Sequence, residues 1–543
     1  MTLFHDRSRK PSRIVLATAT AVFAVAVAFV TSPANADVCS NLASTFQRPN
    51  TTITTAQTVP AGTFVTPTVP PQSITNLPQF CRVAGFTTPT SDSHIQFEVW
   101  MPESNWNLKY LQAGCGGFCG SISYSAMGEP LRRGYAVAAT DDGHEASGTD
   151  ASWAVGHPQK VVDFGYRSLK ETTDVAKDLI FAFEMNGPQR SYFMGCSDGG
   201  REALMEAQRY PLDFDGIVAG SPANFWTHLF TGFVWDQVAL EGISGGDLSQ
   251  ADLNTLSSAV LAKCVGHDGG LSTDQFLNNP PACHFDPKML SLSQDKVTAI
   301  AKIFSGPPNI FPGYMVGAGE ASNAINWPLW ITDTGTPASG LQELFGTNFF
   351  EYIVFPNSGW TPNTFSAEEN AEQADARTGA ILNSIDPNLR PFKSHGGKLL
   401  QYVGWSDTAI SPQNDINYYS AVTELMGGSE NTRNFYRLFM APGMSHCGGG
   451  PGPNAFGNGI NGPNPSDPGD DVLSALDNWV MNLVAPEQII ATKYVNDDPT
   501  QGIAFQRPLC TFPKISKYKS GNTTSASSFE CVPQELGQHS NNW

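Results

Sequence analysis

The segment 191–224 most constrains this chain, because it reads as strand, tight turn and helix in immediate succession. Tyr192–Met194 form a short apolar run, and residues 195–199 follow with the G-x-S-x-G pattern as Gly-Cys-Ser-Asp-Gly. The two glycines allow a sharp turn that lifts the Ser197 hydroxyl clear of the strand. The sequence therefore predicts a nucleophile elbow centred on Ser197.

The residues after this turn have the composition of a helix. From Arg201 onward good helix formers dominate, and Glu202, Glu206 and Arg209 are expected to face water. The amino end of such a helix directs free amide groups toward a site where negative charge develops.

Strand and helix patterns alternate on both sides of the elbow. Strands are predicted at 95–101, 110–113, 135–140, 216–220, 398–403 and 435–440, and helices at 165–183 and 472–483. Such alternation predicts an α/β fold with a mostly parallel sheet. Together with the elbow, it indicates an α/β-hydrolase core.

Between 223 and 385 this alternation is lost, and aromatic residues are frequent. Most of them are expected to pack a small core of their own, with a few left to line a pocket. Because the sheet pattern resumes at Gly397, we interpret the segment as a large lid domain inserted into the core. The predicted organisation is a signal peptide at 1–36, core at 37–222, lid at 223–385 and core again at 386–543. The aromatic residues concerned are Trp226, Phe230, Phe233, Trp235, Trp327, Trp330, Phe345, Phe349, Phe350, Tyr352 and Trp360.

The amino terminus has the layout of a secretory signal peptide. Basic residues within 7–13 precede the apolar run 14–30, and Ala34-Asn35-Ala36 supplies an A-x-A site. An uncleaved membrane anchor is the alternative, since the run is nearly long enough to span a bilayer. The alanine-rich composition favours cleavage after Ala36, and no later stretch is long and apolar enough to cross. The prediction is a secreted or periplasmic protein without a membrane partner.

The formal net charge of the chain is −19 at pH 7. A surface of this sign repels nucleic acid and anionic lipid, so neither is an expected partner. The oligomeric state stays open.

The chain has 10 cysteines, all of them after the predicted cleavage site. An even number in an exported chain indicates disulfides, and the absence of a C-x-x-C spacing argues against a zinc or redox site. Spacing by itself does not fix the connectivity. Local spacing suggests Cys39–Cys81, Cys115–Cys119, Cys264–Cys283 and Cys510–Cys531, which leaves Cys196 with Cys447.

A serine nucleophile needs a base, usually a histidine oriented by a carboxylate. In α/β hydrolases the acid and then the histidine follow the serine, each at the carboxyl end of a strand. Asp407 follows the strand 398–403 and His446 follows the strand 435–440, so both fit. Five other histidines are weaker candidates, because they precede the serine or the acid or lie in the inserted segment. These weaker candidates are His144, His157, His267, His284 and His395.

The glycine-rich segment 114–120 follows an early predicted strand, where a hydrolase sheet places its second oxyanion donor. The oxyanion hole is then expected from the N–H of Asp198 and that of Gly116 or Gly117. An ordinary glycine loop, closed by Cys115 and Cys119, is the alternative.

Three long motifs give the chain its resemblance to the tannase and feruloyl esterase family of α/β hydrolases. They are GCSDGGREALMEAQRYPLDFDGIVAGSPA at 195–223, GWSD at 404–407 and MSHCGGGPGP at 444–453. The cysteines of PLC at 508–510 and FEC at 529–531 also match. The resemblance implies Ser197, Asp407 and His446 as the catalytic triad and a disulfide between Cys196 and Cys447. It also implies a lid that contacts an aromatic acyl group.

Two positions depart from the family pattern. The family's lid often carries a calcium loop of the form C-D-x-x-D-G-x-x-D, whereas here only Asp268 survives in the loop that starts at Cys264. Asp274 could compensate in a shifted register, but Ca²⁺ needs several oxygen ligands held together. We therefore expect no cofactor, with calcium at Asp268 as the alternative. Val403, directly before Gly404-Trp405, also stands where many relatives have histidine, a difference that leaves the triad untouched and bears on the pocket wall.

The resemblance implies an exported serine carboxylesterase that acts on small-molecule or plant-polymer esters of aromatic acids. The alternatives are a hydrolase of another aromatic monoester, such as mono-hydroxyethyl terephthalate, or an inactive protein that binds phenolics or polysaccharide. The sequence does not distinguish among the feruloyl, galloyl and terephthaloyl groups.

Overall fold

The computed structural model describes residues 36–317, 319–321, 325–332 and 340–534. The predicted signal peptide lies outside the described residues except for Ala36, its last residue. No helix in the described ranges is long and apolar enough to span a membrane.

A nine-stranded sheet forms the centre of the molecule, in the order β1-β4-β5-β7-β6-β8-β9-β10-β11. The pairs from β1 to β7 are antiparallel, and those from β7 to β11 are parallel. Three two-stranded sheets, β2-β3, β12-β13 and β14-β15, lie beside it. The strands are β1 (Thr51–Val59), β2 (Gly62–Val65), β3 (Ser73–Leu77), β4 (Phe80–Thr87), β5 (Ile95–Pro102), β6 (Lys109–Ala113), β7 (Ala136–Thr140), β8 (Arg190–Cys196), β9 (Gly216–Gly220), β10 (Lys398–Gly404), β11 (Tyr436–Ala441), β12 (Gln488–Tyr494), β13 (Ile503–Cys510), β14 (Lys514–Tyr518) and β15 (Phe529–Pro533).

Helices pack on the sheet and fill the long connection between β9 and β10. π-helical turns at Asp163–Arg167, Phe349–Val354 and Asp375–Gly379 join several of them. The α-helices are α1 (Ala36–Thr45), α2 (Tyr124–Arg132), α3 (Pro158–Val162), α4 (Ser168–Glu184), α5 (Asp198–Arg209), α6 (Trp226–Glu241), α7 (Gln250–Cys264), α8 (Gln294–Ser305), α9 (Trp327–Trp330), α10 (Leu341–Asn348), α11 (Ala367–Ala374), α12 (Ala380–Leu382), α13 (Arg390–His395), α14 (Pro412–Leu425), α15 (Ser429–Arg433) and α16 (Val472–Asn482).

The predicted α/β class is confirmed, and the six predicted strands are present within one residue of their expected bounds. The antiparallel extension by β1 and β4 was not predicted. β1 is a threonine-rich strand at one end of the sheet and is partly exposed along most of its length. Such an edge strand has too few apolar residues to give the alternating pattern from which a strand is predicted.

Helix α5 differs from its prediction in two ways. It begins at Asp198 rather than Arg201, and Glu202 and Glu206 are buried instead of facing water. Arg209 is exposed, as predicted. The cause is that α5 contacts β8 and β9 as well as the π turn 163–167 and α13. Apolar periodicity indicates the buried face of a helix only when the opposite face lies in water, and here several faces are covered.

The helical connection lies between two neighbouring strands, since β9 and β10 pair in parallel with Gly216 opposite Lys398. One apolar cluster, from Ala239 to Ile331, lies wholly within this connection and includes Trp327.

The expectation that most of its aromatics form a separate core is wrong. Trp226, Phe230, Phe233, Phe345, Phe349, Phe350 and Trp360 share a cluster with Phe118, Trp153 and Phe164 of the preceding chain. The rings of Trp226 and Phe230 lie 5.8 and 5.5 Å from that of Phe118. Packing against the loops that precede β8 buries more apolar surface of these rings than packing within the helical connection alone.

Five disulfides are present, and they join the four pairs that local spacing suggests and the remaining pair, Cys196 and Cys447. They are Cys39–Cys81, Cys115–Cys119, Cys196–Cys447, Cys264–Cys283 and Cys510–Cys531.

Candidate active site

Ser197 occupies the turn between β8 and α5 with φ 66° and ψ −120°. This region of backbone space is unfavourable for a residue with a side chain, costs about 1–3 kcal/mol and recurs at functional sites. Neighbouring strands hold the turn in place. The Ser197 N–H donates to the Gly220 carbonyl at 3.0 Å, and the Ala223 N–H donates to the Ser197 carbonyl at 3.1 Å.

Two glycines make this turn possible through close contact. A Cβ added to Gly195 would lie 2.5 Å from the Gly199 carbonyl oxygen. A Cβ added to Gly199 would lie 2.8 Å from the Cys115 carbonyl oxygen. Glycine therefore packs the elbow both on itself and on the neighbouring loop 114–120.

The predicted acid and base meet at the carboxyl ends of β10 and β11. His446 Nδ1 lies 2.9 Å from Asp407 Oδ2. Asp407 Oδ1 accepts two backbone hydrogen bonds of 2.9 Å, from the N–H groups of Ala409 and Ile410. The carboxylate is therefore fixed through both oxygens, and the Nδ1–H tautomer leaves His446 Nε2 able to accept a proton.

Two links bring the elbow and the histidine together. The disulfide Cys196–Cys447 joins the residues next to Ser197 and His446, with their Cα atoms 6.0 Å apart. Trp330 lines the same cavity as Ser197 and lies edge-on to the His446 ring at 5.1 Å. The three residues predicted as a triad thus share one site.

The loop 114–120 lies against the elbow. The Gly199 N–H donates to the Cys115 carbonyl at 2.9 Å, and the Gly114 N–H donates to the Met194 carbonyl at 2.9 Å. Of the two predicted glycine donors, Gly117 lines the cavity with Ser197 and Asp198. Gly117 has φ 65°, and a Cβ there would lie 2.3 Å from the Gly148 carbonyl oxygen. Gly116, the other candidate donor, is not among the lining residues of this cavity, and its carbonyl accepts the Cys119 N–H at 3.0 Å.

A buried group of charged side chains lies behind this loop. Arg201 is 0% exposed and forms an ion pair with Asp198. It also donates to the carbonyls of Gly165 at 2.8 Å and Phe164 at 3.1 Å. Glu202 Oε2 accepts the Cys115 N–H at 3.2 Å.

Asp142 completes the group and accepts the Ser168 hydroxyl at 2.9 Å. One oxygen each from Asp142, Asp198 and Glu202 lies within 4.8 Å of the others. We call these four side chains, Asp142, Asp198, Arg201 and Glu202, the buried ion cluster. This cluster was not predicted, although Arg201 and Glu202 directly follow the glycines of the elbow and are a signal in the sequence.

Burial changes the ionisation of this cluster. It raises the pKa of Asp142 to about 7, with the Asp198 carboxylate contributing. Burial also raises the pKa of Asp198 and raises that of Glu202 well above its usual range. Because three carboxylates lie near a single guanidinium, burial and mutual repulsion favour their protonated forms, most strongly that of Glu202.

Aromatic side chains line the cavity beside Ser197. Its walls include Trp226, Phe230, Phe233, Trp330 and Phe345, with Ala409 and Ile410 from the loop after the acid. Among the described lining residues there is no lysine, arginine or histidine. The cavity therefore suits an uncharged aromatic group.

The loop that starts at Cys264, the alternative site for calcium, contributes no residue to the lining of the cavity beside Ser197. Asp268 accepts backbone N–H groups from Gly270, Asn278 and Asn279 through its two oxygens. Asp274 accepts the Leu271 N–H at 2.9 Å and pairs with Arg507 at 3.3 Å. Both acids thus have partners from the chain itself.

His144, one of the weaker candidates for the base, has a different role in the structure. Its Nε2 lies 2.7 Å from the Phe118 carbonyl oxygen, and its ring stacks on Trp153 at 3.7 Å. Burial lowers the pKa of His144 to about 4, so the ring is neutral and supports the loop 114–120.

The sheet order and a nucleophile elbow followed by acid and histidine at strand ends define an α/β hydrolase. A family model described as "Tannase and feruloyl esterase" matches residues 81–532. The chain belongs to the tannase and feruloyl esterase family, and it is a carboxylic ester hydrolase.

Known proteins resemble the chain along nearly its whole length. An uncharacterized esterase of Xanthomonas campestris pv. campestris is 36% identical, with 97% of this chain and 96% of that protein covered. A probable feruloyl esterase B-2 of Aspergillus terreus is 31% identical, with 91% and 95% covered. The crystal structure of feruloyl esterase B from Aspergillus oryzae superposes with a TM-score of 0.83 at 27% identity, covering 92% of this chain and 100% of that one.

Proposed function

We propose that the protein is an exported serine carboxylesterase that cleaves esters of phenolic acids through an acyl-enzyme on Ser197. The observation that carries this proposal is the hydrogen bond between His446 and Asp407, placed beside the strained Ser197 turn. The aromatic lining of the cavity supports a phenolic acyl group.

In the first half-reaction the Ser197 hydroxyl attacks the ester carbonyl while His446 Nε2 takes its proton. Asp407 stabilises the imidazolium that forms, because its Oδ2 accepts the Nδ1–H. The N–H groups of Asp198 and Gly117 stabilise the negative charge on the carbonyl oxygen. His446 then gives its proton to the departing alcohol.

In the second half-reaction His446 takes a proton from water, which attacks the acyl-enzyme carbonyl. The tetrahedral intermediate collapses, Ser197 regains its proton and the free acid leaves. The aromatic ring of the acyl group packs against the aromatic wall of the cavity, which includes Trp226, Phe230 and Phe345.

The cavity also favours one acyl class among the alternatives. A terephthaloyl monoester carries a carboxylate, whereas feruloyl and galloyl groups are uncharged at neutral pH. Burying an unpaired carboxylate among aromatic rings is costly. We therefore expect methyl ferulate or methyl gallate to give a kcat/KM at least tenfold above that of mono-hydroxyethyl terephthalate.

Replacing the nucleophile tests the chemistry. Ser197→Ala should lower kcat by at least about 10⁴-fold, and Asp407→Asn by somewhat less. Ser191→Ala, on the strand β8 that leads to Ser197, is the matched control and should keep near wild-type activity. Retention of a tenth of wild-type kcat by Ser197→Ala would exclude the proposed mechanism, and a panel of aryl and acetyl esters measures the substrate class.

Export is part of the proposal and has independent support. Five disulfides form and persist in oxidising compartments rather than in the cytosol. Expression with and without residues 1–36, followed by amino-terminal sequencing of secreted protein, should show a mature chain that starts at Asp37.

A further inference from the structure

Two side chains of the helical connection between β9 and β10 reach the loop that carries Asp407. Gln342 Nε2 donates to the Thr408 carbonyl at 2.9 Å and to the Tyr314 hydroxyl at 2.7 Å. The Tyr314 hydroxyl donates to the Ala409 carbonyl at 3.1 Å. Both side chains are buried, with Gln342 only 1% exposed.

These bonds act on the peptides that hold the acid. The Ala409 N–H and Ile410 N–H bind Asp407 Oδ1, while the Thr408 and Ala409 carbonyls bind Gln342 and Tyr314. The peptide between Thr408 and Ala409 is therefore bonded at both ends, to the carboxylate through its N–H and to Gln342 through its carbonyl. A third bond, from the Ser411 hydroxyl to the Gly313 carbonyl at 2.7 Å, fixes the same loop beside Tyr314.

We infer that Tyr314 and Gln342 are positioning residues for the catalytic acid, so that the inserted segment builds part of the catalytic machinery as well as the acyl cavity. The inference rests on the proposed function, because it assigns the acid role to Asp407. Neither residue lines the cavity beside Ser197. Their effect on catalysis must therefore pass through the loop 407–410 and the hydrogen bond to His446.

The chemistry of the two donors suits this role. The Gln342 amide is neutral at all working pH values, and burial raises the pKa of Tyr314 well above its usual range, with the carboxylates of Asp236 and Asp407 contributing. Both therefore remain donors across the pH range of the enzyme. Since misplacement of a catalytic group by about 1 Å can cost some hundredfold in rate, loss of either donor should appear in kcat.

The main test is Gln342→Leu, which keeps the side-chain size and removes both donated bonds. We expect kcat on methyl ferulate to fall about 10- to 100-fold while KM changes less than about threefold. The acid limb of the pH profile for kcat/KM should move to lower pH, because a loosened Asp407 stabilises the His446 imidazolium less. Gln237→Leu is the matched control, a buried glutamine of the same segment, and should leave kcat and the pH limb unchanged.

A double substitution separates this role from a general structural one. In the Asp407→Asn background, Gln342→Leu should lower kcat less than about threefold further, because the group on which it acts is already lost. Tyr314→Phe, which removes a single hydroxyl, provides a second variant if Gln342→Leu does not fold. It should lower kcat about 3- to 10-fold with the same shift of the pH limb.

Two results would overturn the inference. One is a kcat within threefold of wild type and an unmoved pH limb for both Gln342→Leu and Tyr314→Phe. The other is a double variant whose loss of kcat equals the product of the separate losses of Gln342→Leu and Asp407→Asn. Either result leaves the proposed function intact as long as Ser197→Ala and Asp407→Asn are inactive, so the two failures are distinguishable.

Discussion

The two sides of the active site are supported by different chemistry. The nucleophile side, formed by β8, α5 and the loop 114–120, rests on the buried ion cluster. The acid side, formed by the loop 405–410, rests on backbone N–H groups and on Gln342 and Tyr314. The stability of the nucleophile side should therefore depend on pH and on charge-changing substitutions. The geometry of the acid side should depend on the packing of the helical connection between β9 and β10.

The largest expected effect comes from breaking the ion cluster at its single cation. Arg201→Met leaves the Asp198 carboxylate buried without a partner, and such a loss typically costs about 3–5 kcal/mol. Denaturant unfolding at about pH 8 measures it. Arg209→Met, on the exposed part of the same helix, should cost less than about 1 kcal/mol. A similar small loss for Arg201→Met would show that the cluster contributes little to the nucleophile side.

The next effect concerns the covalent link between the two sides. Replacing Cys196 and Cys447 together by alanine opens a loop of 251 residues, which in the chain-entropy model costs several kcal/mol, with about 2–4 kcal/mol typical. We also expect kcat to fall more than KM rises, since the nucleophile and base lose their fixed separation. Removing Cys264 and Cys283, which close 19 residues in the inserted segment, should leave kcat nearly unchanged. Equal kcat losses for both pairs would refute a catalytic role for the first.

The local parts of both sides could be predicted from the sequence. The elbow, and the placement of Asp407 and His446 directly after strands, depend on residues within a few positions of one another. Turn and strand patterns record such short-range features.

The supporting contacts could not be predicted in the same way. Gln342 and Thr408 are 66 residues apart, and nothing near Gln342 distinguishes it from a glutamine on a surface helix. Glu202 was expected to face water because α5 reads as amphipathic, but it is buried against the loop 114–120, whose Cys115 N–H it accepts. Long-range contacts of this kind follow from the assembled fold rather than from local pattern.

A smaller effect should follow from pH on the nucleophile side. Because burial raises the pKa of Asp142 to about 7, the folded protein binds a proton there more tightly than the unfolded chain does. Stability is therefore lost as the pH rises from about 4 to about 7. Asp142→Asn should raise the free energy of unfolding by at least about 1 kcal/mol more at pH 8 than at pH 5. Asp178→Asn, at an exposed position, should show no such difference, and a flat comparison for Asp142→Asn would contradict the assigned ionisation.

The smallest effect is expected from calcium removal, because the loop that starts at Cys264 contributes no residue to the cavity beside Ser197. Ca²⁺ takes about six to eight oxygen ligands, but Asp268 and Asp274 already accept N–H groups of their own loop, and Arg507 lies 3.3 Å from Asp274 Oδ1. A guanidinium at that distance opposes a divalent cation. EDTA should therefore change the melting temperature by less than about 1 °C, whereas Asp268→Asn should lower it with or without EDTA. A fall of many degrees on chelation, reversed by added Ca²⁺, would show that the loop rearranges around a bound ion.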